Sequence, residues 1–457
     1  MKATIYKTGK ALGKNLENIG EFEMEYRDVD VCERQDKQGD IEWGLINIYP
    51  QVTYHTFHGF GGAFTEAAAV AMGGLSADKQ EALLRAYFDP DNGIGYTIGR
   101  ISINSCDFSV DDYMYIEDGD ESLESFDITH DTKEIMPMIK RAADIAGGLW
   151  LFASPWTPPT FMKTVDCFHG GHLDKKYYAL WAKYIRRFVE EYAKHGIKIS
   201  GVTMQNEPRH HQIWESCLYT REEESEFVGY LYEELKGLDV KIICYDHCRE
   251  RITDRAETVF GGKNGDKCDG IANHIYSGDH FGEVRMVRER WPEKIQIASE
   301  GCFAHTDEGI ETEWDWYHAE QYAHDISGMI DAGTHYYCDW NLTLDEHNGP
   351  FHHREGRNRV AEAPVYAHNA KNELVFMPAY YYIGHYSKFI RPGAVCIGHS
   401  SYTNLLDVCT FKNPDGSIVC VVLNTTAHDR PFTINLQHNI LKLNAESHTV
   451  QTVVITE

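Results

Sequence analysis

The sequence predicts an α/β fold, a (β/α)8 or TIM barrel with a β-sandwich side domain built from both termini, and three observations carry that prediction. Eight short apolar segments alternate with helix-patterned ones through the middle of the chain, and eight is the number of parallel strands that closes a barrel. Both ends carry a different texture, short alternating segments separated by turn residues. Two of the central segments run straight into a glutamate, Glu207 after Gly201-Val202-Thr203-Met204 and Glu300 after Ile295-Gln296-Ile297-Ala298-Ser299, and strand ends are the reactive end of a barrel.

Taken in order, the first part of the chain offers Val29–Val31, Trp43–Ile48 and Val52–His55 as strands between glycines and charged turns. The expected barrel strands are Thr56–Gly59, Tyr96–Ile103, Leu149–Ser154, Gly201–Asn206, Lys241–Tyr245, Gly270–Tyr276, Ile295–Ser299 and His335–Trp340. Helices are expected between them. Ser76 opens one that Pro90 closes, and Asp174–His195 places Leu180, Trp181, Tyr184, Ile185, Phe188 and Tyr192 on one face before Gly196. Thr220-Arg221-Glu222-Glu223 has the form of a capping box. Beyond about Gly393, Leu405–Phe411 and Ile418–Asn424 flank the turn sequence Asn413-Pro414-Asp415-Gly416 and read as a hairpin, and Phe432–Leu436 and His448–Ile455 add two strands. Neither end holds enough strands to bury a core alone, so one sandwich of residues 1–55 and 390–457 beside a barrel of 56–389 is the economical arrangement.

Composition narrows the partners. The 457 residues hold 43 Lys and Arg against 70 Asp and Glu, a net charge of −27, which opposes nucleic acid and anionic membrane surfaces as partners. No run of apolar residues is long enough for a signal peptide or a membrane span, so a cytoplasmic location is expected, with the twelve cysteines kept as thiols. No Cys-x-x-Cys pair occurs, and Cys106 and Cys302 read as small buried fillers. No cofactor and no metal site is expected; the run Arg209-His210-His211 lacks the spacing that would place two histidines on one helix face.

A pair of carboxyl groups is the minimum apparatus for cutting a glycosidic bond. In a retaining enzyme one attacks the anomeric carbon and the other protonates the leaving oxygen, and the charge of the first is expected to keep the second protonated. Counted along the barrel, Glu207 ends strand four and Glu300 strand seven, on opposite sides of the mouth.

Around these glutamates lie His58–Ala67 (HGFGGAFTEA), Ser105–Ser109 (SCDFS), Ala153–Pro159 (ASPWTPP), Gln205–Pro208 (QNEP), Ala298–Glu300 (ASE) and Asp339–Leu342 (DWNL). Together and in this order they resemble glycoside hydrolase family 30, the glucosylceramidase-like group, from about His55 to the end of the chain, Gly384–Phe389 (GHYSKF) included. The resemblance implies a retaining mechanism with Glu207 as general acid/base and Glu300 as nucleophile, and a carbohydrate, a β-linked glycoside, as substrate. It further implies that Asp107 accepts from sugar hydroxyls, that Trp156 donates its indole N–H beside it, and that Asn206 holds the 2-hydroxyl. Tyr276 would donate to the nucleophile, Trp340 would floor the ring, and His274 and Arg100 would support the pocket. On their own residue chemistry, Trp156 and Trp340 have an alternative reading as core aromatics, Arg100 as an interior ion pair holding Glu300 or Asp107, and His274 as a core histidine.

The chain departs from the family after Gly349-Pro350, where residues 347–359 turn rich in histidine and arginine. Such a loop either recognises an acidic or phosphorylated group or packs against neighbouring acidic loops or a second subunit. The expected activity is that of an exo-acting β-glucosidase or related β-glycosidase. An endo-β-1,6-glucanase and a β-xylosidase, β-fucosidase or β-galactosidase stand as alternatives, and a non-catalytic carbohydrate-binding barrel or a metal-dependent barrel hydrolase as readings of another class.

Overall fold

A computed structural model describes residues 1–27, 44–305, 314–352 and 360–457. The expected strand at Val29–Val31 and residues 353–359 of the His/Arg-rich loop lie outside the described residues. Eight parallel strands close a barrel: β1 (Gly59–Ala63), β2 (Ile98–Ile103), β3 (Trp150–Pro155), β4 (Ile199–Thr203), β5 (Lys241–Cys248), β6 (Gly270–His274), β7 (Ile295–Glu300) and β8 (Tyr336–Asn341). Ile98, Phe152, Ile243, Ala272, Ile297 and Cys338 pack inside it, all buried.

The first expected strand, Thr56–Gly59, is displaced: Thr56 is the last residue of a sandwich strand, Leu45–Thr56, Phe57 and His58 lie in neither strand, and the barrel strand is the glycine-rich segment that begins at Gly59. A Cβ on Gly61 would stand 2.0 Å from the Ile98 carbonyl oxygen, so β1 and β2 approach too closely for a side chain there. Glycines carry little strand propensity, which hides such a strand from pattern reading. The other seven fall where expected to within a few residues at each end.

The helices follow their signals. Tyr178–Lys194 buries Trp181, Tyr184, Ile185, Phe188 and Tyr192 but leaves Leu180, expected on the same face, only half-buried, and Gly196 takes the left-handed φ of +78° just beyond it. Thr220 caps Arg221–Leu235 in a full capping box with Glu223. Ala77–Phe88 begins after Ser76. No helix among the described residues is long and apolar enough to cross a membrane.

Strands from both ends of the chain form the sandwich, including Lys2–Gly9 and Gly13–Glu23, which precede any strand expected from the sequence. Lys2–Gly9 pairs antiparallel with Thr449–Thr456, and Asp407–Lys412 with Ile418–Asn424 about the expected turn, where Gly416 has a φ of +91°. Alternate residues of these strands, Ala3, Ile5, Ile46, Ile48, Cys420, Val422, Ile434 and Val453 among them, make one apolar core. The compact unit built on the sandwich comprises Met1–Gly59, Glu311–His335 and Phe376–Glu457; the barrel unit comprises Phe60–Ile310 and Tyr336–Val375. The helices Asp315–Ala332 and Pro378–Ser387 therefore cluster with the sandwich, although the sequence assigns both to the barrel span.

Candidate active site

At the C-terminal ends of the barrel strands a cavity of about 460 Å³ is lined by Asp107, Trp156, Asn206, Glu207, Tyr276, Glu300 and Trp340, together with Phe108, His210, Gln212, Trp214 and Cys248. Seven of the nine residues singled out in the sequence thus share one cavity. The remaining two, Arg100 and His274, have no exposed surface and do not line it. They stand behind the carboxylates, which corrects the expectation of a place in the substrate pocket and agrees with the interior ion pair left open for Arg100.

Glu300 is the last residue of β7 and is oriented from both sides. Arg100 donates through Nη1 to its Oε2, and the Tyr276 hydroxyl donates to its Oε1 at 2.8 Å. The Tyr276 ring lies largely open while its hydroxyl end points inward to Glu300 and the Cys302 sulfur. Arg100 spends its other nitrogens on Ser154 Oγ (3.1 Å), Asn206 Oδ1 (2.8 Å) and Asp246 Oδ2 (2.9 Å). Its guanidinium also lies 4.8 and 5.3 Å from the ring centres of Trp156 and Trp340, which stack on each other at 5.5 Å. Because Asn206 gives its oxygen to Arg100, its amide N–H2 is the group it offers the cavity.

Glu207 sits four residues beyond β4, with its backbone in the left-handed region at φ +47° and its N–H donated to the Asp246 carbonyl at 2.9 Å. A non-glycine residue held there is found where the surroundings over-determine it, as at functional sites. Gln212 Nε2 donates to Oε2 at 3.1 Å, and His210 Nδ1 lies 3.5 Å from the same oxygen. His274 Nδ1 stands 3.6 Å from Glu207 Oε1 and 3.8 Å from Glu300 Oε1. One nitrogen therefore measures the gap: the two oxygens are no more than about 7.4 Å apart, a bound that accommodates the ~5–5.5 Å separation of a retaining pair.

The proton distribution departs from expectation. Burial alone would raise Glu207, but His210 and His274 outweigh it and hold its carboxyl well below the usual carboxylate range. His274 feels the reverse: burial lowers it, and Glu300, Asp246 and Glu207 push it up to about 9. These two directions favour the proton on His274 over Glu207, opposite to the like-charge argument.

Asp246, absent from the sequence reading, is the hub of the cluster. Its Oδ2 accepts from Arg100, Ser154 (2.8 Å) and Thr203 (2.7 Å), and its Oδ1 accepts from Ser299 at 2.6 Å and faces His274 Nε2 at 3.0 Å. Burial opposes its charge, yet Arg100, His274 and Ser299 hold it far below the usual carboxylate range. The signal for it was the same strand-end acid that exposed Glu207 and Glu300. It was missed because the expected strand stopped at Tyr245, whereas β5 continues through a bulge where Tyr245 and Asp246 take φ of +73° and +54°.

The expected cysteine chemistry holds among the described residues: all eleven of their cysteines are free thiols, and burial pushes Cys106 and Cys302 well above the ordinary thiol value. In the loop after β8, His352 Nε2 contacts Glu215 (3.1 Å) and Asp112 (3.4 Å), so this part of the His/Arg-rich segment packs against acidic neighbours.

Comparison with known proteins agrees with this architecture. Residues 57–390 match the glycosyl hydrolase family 30 TIM-barrel domain and residues 393–453 the glycosyl hydrolase family 30 beta sandwich domain. The mouse lysosomal acid glucosylceramidase is 33% identical over 417 residues, 86% of this chain and 79% of that protein. The endo-1,6-beta-D-glucanase BGN16.3 of Trichoderma harzianum is 26% identical over 81% of this chain and 78% of its own length. Among solved structures, SrfJ from Salmonella typhimurium superposes with a TM-score of 0.93 at 31% identity, covering all of both chains. The chain belongs to glycosyl hydrolase family 30 and is a retaining glycoside hydrolase acting on carbohydrate.

Proposed function

We propose that the protein is an exo-acting β-glucosidase in which Glu300 is the nucleophile and Glu207 the general acid/base. The observation that carries this reading is the shared approach of both carboxylates to His274 Nδ1, with Glu300 held by Arg100 and Tyr276 and Glu207 held by Gln212. Glu300, acceptor on both oxygens, attacks the anomeric carbon. His274, 3.6 Å away, first passes its proton to Glu207; the bond to the leaving oxygen then breaks as that oxygen takes the proton, leaving Glu207 a carboxylate able to act as base. Water then gives its proton to Glu207 and its oxygen to the anomeric carbon, releasing Glu300 and a sugar of unchanged configuration.

The β-glucosyl specificity rests on the relatives, whose names span glucosylceramide and β-1,6-glucan. Exo action rests on the cavity, whose 460 Å³ suits a small ligand better than an extended polymer. Asp107, the amide of Asn206 and the stacked Trp156 and Trp340 offer an acceptor, a donor and an apolar wall for one ring.

The test is a panel of nitrophenyl β-glycosides, glucoside, xyloside, fucoside and galactoside, beside a β-1,6-linked gluco-oligosaccharide. Fastest turnover of the glucoside, with single glucose units released from the oligosaccharide, is the expected result. Release of internal fragments would replace exo by endo action. Glu300→Ala should abolish turnover, and Glu207→Ala should give a burst of nitrophenol followed by slow hydrolysis; full activity in either variant would remove the assigned roles.

A further inference from the structure

Beside the acid/base candidate lies a group the hydrolytic mechanism does not use. His247, on β5, has no exposed surface, and neither of its ring nitrogens has a hydrogen-bond partner. Leaving a buried polar group unpaired is costly, and an imidazole has two such groups. A neutral imidazole keeps one N–H, so one of these two unpaired nitrogens offers a free lone pair. Its ring meets that of His210 edge-on at 4.3 Å. His210 in turn lies 3.5 Å from Glu207 Oε2. One ligand atom from each of Glu207, His210 and His247 lies within 4.8 Å of the others.

We propose that Glu207, His210 and His247 form a Zn²⁺ site whose occupation takes the Glu207 carboxylate out of acid/base use and stops turnover reversibly. Two imidazoles and one carboxylate suit zinc, and the nitrogen ligands disfavour magnesium and calcium. Bonds of about 2.0–2.2 Å require the three atoms to draw closer than 4.8 Å, and His210, with 47% of its side chain exposed, is the member free to turn inward. Glu207 and His210 line the cavity, which supplies both the access route and room for a water as fourth ligand. The histidine pair His210-His211 has no partner at ligand spacing in the sequence; the second imidazole arrives from β5. The inhibitory consequence, though not the binding, rests on the role assigned to Glu207.

The whole chain, treated with chelator and dialysed, is titrated with ZnCl₂ by calorimetry in a buffer that does not bind metal, and nitrophenyl glucoside turnover is followed in parallel. One strongly bound zinc, loss of turnover on binding, and full recovery with EDTA are expected. His247→Leu replaces an unpaired buried ring by an apolar one of similar volume. It should keep its melting temperature and basal turnover, bind zinc at least about tenfold more weakly, and stay active at zinc concentrations that silence the natural protein. Should that variant not fold, His210→Gln is read by calorimetry alone and should show the same weakening. Equal zinc affinity in variant and natural protein would overturn the site, as would zinc bound without loss of turnover. Turnover abolished by EDTA and restored by zinc would make the metal a cofactor and overturn the inhibitory role. If no glycoside is cleaved at all, the functional reading fails while calorimetry still decides the site.

Discussion

Arg100 and Asp246 form an ion pair, Nη2 to Oδ2 at 2.9 Å, in which neither side chain has any solvent exposure. A fully buried pair is weak evidence for stability in itself, because two charges leave water to make it. Its consequence here is positional. Arg100 fixed by Asp246 can present Nη1 only to Glu300 Oε2, and Asp246 fixed by Arg100 faces His274, the residue that stands between the two glutamates.

Asp246→Asn keeps the shape of that hub and removes its charge. Four donors, from Arg100, Ser154, Thr203 and Ser299, converge on the present carboxylate, and an amide would turn N–H2 toward some of them. We expect a stability loss of about 3 kcal/mol and a fall in kcat on the order of 10²-fold with little change in KM. Urea unfolding and steady-state kinetics measure the two effects separately.

Tyr276→Phe isolates one hydrogen bond. The hydroxyl donates to Glu300 Oε1 at 2.8 Å, and a hydrogen bond to a charged acceptor is worth about 1.5–3 kcal/mol, so kcat should fall roughly 10- to 100-fold. The ring is 44% exposed and contributes little to the core, so the melting temperature should stay within a degree or two of the natural protein, roughly the effect of 0.5 kcal/mol. Unchanged kcat would mean that Arg100 alone orients Glu300.

Gly61→Ala tests the strand that pattern reading displaced. The added methyl meets the Ile98 carbonyl at 2.0 Å, where β1 and β2 are in register and backbone cannot yield. A loss of at least about 3 kcal/mol is expected, against about 1 kcal/mol for Gly62→Ala, whose methyl meets the movable Leu342 side chain at 2.8 Å. Denaturant midpoints of the two variants give the comparison directly.

The contrast between β1 and the other strands explains what the sequence made visible. Glu207 and Glu300 were legible because an apolar run that ends in an acid is costly unless the acid is used. The helix Arg221–Leu235 was legible because its capping box is a local signal, and the structure forms both bonds of that box. Asp246, His247 and the Gly59–Ala63 strand were not, because their meaning lies in neighbours distant along the chain: a bulge that turns Asp246 inward, an imidazole without partners, and a carbonyl that excludes a side chain. The terminal strand Lys2–Gly9 did carry a signal, Ala3 and Ile5 on one face and both fully buried with Gly9 and Gly13 at the turn beyond, but the segment is short and Lys2 and Lys7 break up its apolar pattern.

His352 supplies the last prediction, a dependence of stability on pH. The loop after β8 brings its ring against Asp112 and Glu215, while Nδ1 lies 2.8 Å from the Ser109 carbonyl. Burial lowers the ring's affinity for protons, but the two carboxylates and the carbonyl outweigh it and push it up to about 10 from an ordinary 6.5. A raised value in the folded state means that folding favours the protonated ring. The stabilisation is therefore complete below about pH 6.5 and disappears as the pH rises through about 10. Even half of that separation corresponds to about 2 kcal/mol. His352→Gln keeps a donor but cannot carry the charge, so its deficit relative to the natural protein should be full at pH 6, smaller at pH 8.5 and nearly gone at pH 10.5, on the order of 2 kcal/mol at its largest. Denaturant unfolding of both proteins at those three values measures it, and a deficit that stays constant with pH would show that packing, not charge, is what the ring contributes.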